Sequence, residues 1–139
     1  MFRTGFLATL LTATLISSGA WAATIRFHGH MDARSEVPPK TSAGTGEAVA
    51  TLDTTTKVLS YTITYKGLTG PATAAHFHGP AAVGVNAGVV VPFNPVTSPI
   101  IGKVTLTDAQ IADLEAGKWY ANVHTAANPG GEIRGQMVR

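Results

Sequence analysis

The residues of this chain best suited to chemistry are its five histidines. His28 and His30 form one H-x-H pair, His76 and His78 a second, and His124 ends the run Tyr120-Ala121-Asn122-Val123-His124. Side chains at i and i+2 on a β-strand share a face of the sheet, about 6.6 Å apart along it. Two imidazoles in that relation can converge on one ion through bonds of about 2.0–2.1 Å. The chain has no cysteine, so a transition-metal site must be built from imidazole, carboxylate or thioether. His76, His78 and His124 are the sharpest set. Three imidazoles with an open position suit copper, and zinc less specifically. A lone strand histidine is more often a surface residue or one satisfied by hydrogen bonds. An H-x-H pair with a third histidine tips the balance toward a metal.

The other candidates are weaker. His28 and His30 face one way and Met31 the other, so the three do not chelate together on a regular strand. The pair reads as two exposed histidines that can at most supply a fourth ligand to the first set. Glu36 and Glu132 are candidate carboxylate ligands, or acceptors for an imidazole N–H. Each reads equally as a surface or turn carboxylate, and for Glu36 that reading is the preferred one. Arg134 shares a face with Glu132. It is suited to guiding an anion to a metal or to holding a carboxylate in a cross-strand salt bridge. No catalytic residue is assigned, because no serine sits in a recognisable elbow and no glycine-rich phosphate loop precedes a helix.

These residues must be positioned by strands. Ile25 to Asp32 alternates Ile25, Phe27, Gly29 and Met31 with Arg26, His28, His30 and Asp32. Glu47–Leu52 and Val58–Tyr65, joined by the polar link 53–57, predict a hairpin. Glu36-Val37-Pro38-Pro39-Lys40 predicts a rigid extended stretch, since proline fixes φ and restrains its predecessor. Strands are expected at Thr73–His78, Val89–Val91 and Ile100–Leu106. Thr107-x-x-Gln110 has the spacing of a helix capping box, with Gly117 as the stop. Trp119–His124 and Glu132–Val138 close the chain as a hairpin. The predicted fold is all-β: an antiparallel β-sandwich or flattened barrel, immunoglobulin- or superoxide-dismutase-like, with one short helix. Trp119, Ala121 and Val123 then point into the core. The histidines lie on the outer or end face, open to solvent.

Met1-Phe2-Arg3, the apolar run from Gly5 to Ile16 and Ala20-Trp21-Ala22 read as a secretory signal peptide over residues 1–22. Residues 23–139 are then one domain, large enough to bury a core. Losing Arg3 takes the net charge one unit below +2. The bases are scattered, so neither nucleic acid nor, after signal cleavage, a membrane is an expected partner. An exported domain without cysteine depends on packing, not disulfides, for its stability.

From Phe27 to Val138 the chain resembles the CHRD domain, the module repeated in chordin and found singly in many bacterial exported proteins. The segments carrying the likeness are Glu36-Val37-Pro38-Pro39, Leu59-Ser60-Tyr61-Thr62-Ile63 with Gly67-Leu68, Ala74-Ala75-His76-Phe77-His78-Gly79, Leu106-Thr107-x-x-Gln110, and Asn122-Val123-His124-Thr125 through Asn128-Pro129-Gly130-Gly131-Glu132-Ile133-Arg134-Gly135-Gln136. His28 and His30 lie outside that pattern. The family implies an exported module without a settled enzymatic role. A fainter likeness is to copper/zinc superoxide dismutase. His76-Phe77-His78 looks like its copper-binding strand, Val123-His124 like its late copper histidine, and Gly130 to Arg134 like its turn before the anion-guiding arginine. The bridging histidine, zinc loop and disulfide are absent, so this implies a scaffold with a copper corner and not the activity.

The leading expectation is a secreted or periplasmic protein that binds a transition metal, copper first, for storage, delivery or protection. One alternative is a structural module that binds another exported protein, with incidental histidines. The other is a dismutase-like copper redox enzyme.

Overall fold

A computed structural model describes Met1 and residues 23–139; the expected signal peptide falls almost wholly outside the described residues. The described chain forms β1 (Thr24–Asp32), β2 (Thr45–Asp53), β3 (Val58–Lys66), β4 (Ala72–His78), β5 (Val89–Pro92), β6 (Ile100–Thr105), α1 (Asp108–Glu115), β7 (Tyr120–Thr125) and β8 (Ile133–Gln136). All pairings between these strands are antiparallel. They make one eight-stranded sheet in the order β5-β4-β7-β8-β1-β2-β3-β6.

That single sheet folds onto itself. Tyr61 of β3 and Phe77 of β4 are five places apart in the strand order, yet their ring centroids are 5.5 Å apart. Phe93 packs against both, at 4.8 Å from each. Such pairs form only if the two halves of the sheet face one another, as in a nearly closed, flattened barrel. The core takes the alternating residues that the sequence pattern predicts: Phe27 and Met31, Ala48 to Leu52, Leu59 to Ile63, Ala75 and Phe77, Ala121 and Val123. Trp119, just before β7, is also buried there.

The local signals act as their chemistry dictates. In the β2–β3 turn, Asp53 Oδ1 accepts from the backbone N–H of Thr55 and Thr56. Thr107 and Gln110 form the reciprocal capping box of α1. Among the described residues no helix is long and apolar enough to cross a membrane.

One expectation fails. The segment after β1 is not an extended rod. Asp32 Oδ1 accepts from Ser35 N–H, and Lys40 N–H donates back to Ala33 carbonyl at 2.8 Å, closing a compact loop. The prolines restrict φ, but they do not stop the chain from turning at residues 33–38. The loop carries Glu36 inward, and Glu36 is only 4% exposed. Its reading as a surface carboxylate is therefore corrected.

Candidate metal centre

Strand register explains why the histidines meet. On the outer face of the sheet His76 stands opposite Asn122, and Ala74 opposite His124. His124 is thus two residues along β7 from His76's partner, a diagonal neighbour within reach of a long side chain. His78 follows His76 on the same face. The outcome is a cluster in which one nitrogen from each of His76, His78 and His124 lies within 4.8 Å of the others. His76 Nδ1 is 3.2 Å from His124 Nε2. The His76 ring centroid is 5.2 Å from that of His78 and 5.0 Å from that of His124.

Two backbone carbonyls orient the rings. His78 Nδ1 donates to Ala87 carbonyl, and His124 Nδ1 donates to Pro129 carbonyl, each at 2.9 Å. A carbonyl only accepts, so each Nδ1 carries the proton and each neutral ring presents a bare Nε2. Metal-binding histidines are oriented this way, with the far N–H held by an acceptor. Burial, with the neighbouring His124 and His78, holds the His76 pKa below the ordinary imidazole value. Burial does the same for His78, against the bonds from Ala87 and Asn122. Both effects favour the neutral ring that ligation requires.

The outer face is more covered than its polar sequence suggests. The segment 79–88 lies across β7 and β8. Its Ala87 N–H donates to Tyr120 Oη at 3.1 Å, and Gln136 Nε2 donates to Ala81 carbonyl at 2.9 Å. Asn86 Nδ2 donates to Val37 carbonyl and ties this segment to the 33–40 loop. Under this cover His78, Tyr120, Asn122 and Arg134 are buried, while His76 and His124 stay partly exposed. The cluster is thus enclosed on one side and open on the other. Tyr120 lies parallel to the His78 ring, centroids 4.8 Å apart.

The remaining candidates fall elsewhere. His28 and His30 are exposed on β1, which is separated from β4 by β7 and β8. His30 Nδ1 instead meets Glu47 Oε1 at 2.6 Å, and that bond raises its pKa. Arg134 donates to Asn86 Oδ1 and Val85 carbonyl, and its guanidinium carbon sits 3.4 Å over the Tyr120 ring. Among the described residues it forms no ion pair, so the cross-strand salt bridge is not made. Glu132 does not accept from any imidazole. It is fully buried and accepts from Ser42 Oγ, Thr69 N–H, Thr69 Oγ1 and Thr125 Oγ1 at 2.5–2.9 Å. Burial pushes its pKa up, but these donors outweigh that and hold it down at about 2.

Glu36 behaves oppositely. Burial pushes its pKa up to about 7, against the Arg134 guanidinium and the Asn122 amide. Its Oε1 has no hydrogen-bond partner among the described residues. Gly131, at φ 124°, leaves the space this carboxylate fills; a Cβ there would overlap it. A carboxyl raised from 4.5 to about 7 costs the metal-free fold up to about 3 kcal/mol as pH rises between those values. The stability is complete below the unfolded pKa and lost as pH climbs through the folded one. Glu36→Gln should therefore be more stable than wild type at pH 8 and nearly equal to it at pH 4.5. Urea melts at the two pH values in the presence of a chelator check this.

Asn122 also meets this cluster: strand period sets it on the face of His124, and only the register puts it opposite His76. The signal available was its position two residues before a candidate ligand.

A family model described as the CHRD domain matches residues 27–137. Neither curated proteins nor solved structures return a match.

Proposed function

Taking as premise that the chain belongs to the CHRD domain family, we propose that it is an exported, secreted or periplasmic protein that binds one transition-metal ion. His76 Nδ1, His78 Nε2 and His124 Nε2 are the ligands. The observation that carries this reading is the trio of ligand nitrogens within 4.8 Å of one another. The carbonyls of Ala87 and Pro129 leave two of those nitrogens unprotonated toward the cluster. Copper is the first choice, since divalent affinity at nitrogen sites peaks at Cu²⁺, with zinc second. The role is storage, delivery or protection. The partly exposed edges of His76 and His124 give an ion a way in and out.

The test is titration of the domain with Cu(II) and Zn(II). One saturable equivalent is expected, bound through histidine nitrogen. Absence of saturable binding would leave an exported structural or protein-binding module whose histidines are incidental. Affinity should fall with acid, because protonated imidazole cannot ligate. The pKa values of His76 and His78 lie below the ordinary imidazole value, so the decline should begin below about pH 6.5. Titrations at pH 8, 7 and 5.5 check the order: equal affinity at the first two within about threefold, and a marked loss at the third.

A further inference from the structure

The two bare Nε2 atoms do not face empty space. Asn122 Oδ1 lies 3.0 Å from His78 Nε2 and 3.0 Å from His124 Nε2. An amide oxygen is an acceptor, as is an unprotonated imidazole nitrogen. Three lone pairs therefore meet with no proton among them. A proton on one ring would satisfy one of the two contacts, and an amide turned so that its NH2 donates would serve both rings; a cation between them serves all three lone pairs as they stand.

The spacings fit the same idea. Bonds of about 2.0–2.1 Å give ligand-to-ligand edges of about 3.3–3.4 Å in a tetrahedron and about 2.8–3.0 Å in a square. Three of the six edges here are 3.0, 3.0 and 3.2 Å, and the ligand nitrogens of the histidine trio stand no more than 4.8 Å apart. We propose that Asn122 Oδ1 is the fourth donor to the ion, completing three imidazole nitrogens and one amide oxygen, and that the site selects the divalent state over Cu(I). The proposal rests on the three-histidine reading and deepens it. A neutral oxygen donor bonds a borderline divalent ion well and adds little for soft Cu(I).

The experiment compares wild type, Asn122→Ala and Asn122→Asp in Cu(II) titrations, in Cu(I) titrations under anaerobic reduction, and by the visible d–d absorption of bound Cu(II). Asn122→Ala should weaken Cu(II) binding 10- to 100-fold and shift the d–d band, with Cu(I) affinity within about threefold of wild type. Asn122→Asp keeps the oxygen and adds charge, so Cu(II) should bind at least as tightly as in wild type. In the wild type, Zn(II) should move the Asn122 side-chain amide resonances, a readout that needs no variant to fold. Tight wild-type binding with an unchanged Asn122→Ala affinity and spectrum overturns the fourth donor alone. Unmoved Asn122 resonances, or weakened Cu(II) binding by Asn122→Asp, do the same. A wild type that binds neither Cu(II) nor Zn(II) overturns the three-histidine reading itself.

Discussion

His76→Ala is expected to lower Cu(II) affinity by at least about 1,000-fold, close to 4 kcal/mol. His76 is central to the cluster: its Nδ1 is 3.2 Å from His124 Nε2, and its ring packs edge-on against both other imidazoles. Removing it leaves His78 and His124, whose ring centroids are 6.3 Å apart. A two-histidine remnant should bind like an ordinary surface pair. The fold should survive, since His76 is partly exposed on the outer face, away from the Phe77 core. The control is His28→Ala/His30→Ala, which should leave Cu(II) affinity within about threefold of wild type. Those residues sit on β1, beyond β7 and β8 from the His76 strand. Isothermal titration of the variants, with circular dichroism to confirm folding, checks both statements. Equal losses from the two changes would mean one shared site. Loss from the N-terminal change alone would mean that the wrong histidines have been assigned.

Which parts of this protein were legible in its sequence follows from the range of the interactions involved. Alternation in residues 25–32 and 58–65 reports which face each side chain takes, because strand period is a local property. The capping box at Thr107 and Gln110 is equally local. The face shared by His76 and His78 could be read directly. That His124 joins them depends on β4 pairing with β7 in one particular register, which no local rule supplies. The sequence could offer His124 as a partner only by residue type and by the family likeness. Glu36 was misread because its burial arises from segments far away in sequence. The loop closed by Lys40 and Ala33 brings it in, Gly131 leaves it room, and the segment containing Asn86 covers it. A glutamate before two prolines carries no local mark of that. Arg134 likewise took a partner the sequence does not announce: an aromatic ring on the neighbouring strand and two acceptors from the covering segment.

Glu132→Ala is expected to destabilise the domain by about 4 kcal/mol, without acting on metal affinity directly. The carboxylate joins three regions that are otherwise separate: Ser42 before β2, Thr69 between β3 and β4, and Thr125 at the end of β7. Alanine leaves four donors without their acceptor, two of them on the exposed Thr69, and each such loss costs up to about 1–3 kcal/mol before relaxation. For a domain of this size the melting temperature should fall on the order of 15 °C. Acid gives an independent check. The Glu132 pKa is depressed to about 2 from an ordinary 4.5. Its stabilisation is therefore present above the unfolded pKa and drains away as pH falls from 4.5 toward 2. Glu132→Gln cannot ionise, so over that range its stability should decline less steeply than that of wild type. Thr125→Val and Thr69→Val each remove one donor and should cost less, about 1–2 kcal/mol apiece, with their effects non-additive because both bond the same oxygen. Urea denaturation at pH 7 and pH 3 separates these outcomes. A Glu132→Ala loss below about 1 kcal/mol at pH 7 would mean that water replaces the carboxylate, and that the three segments are held together by packing instead.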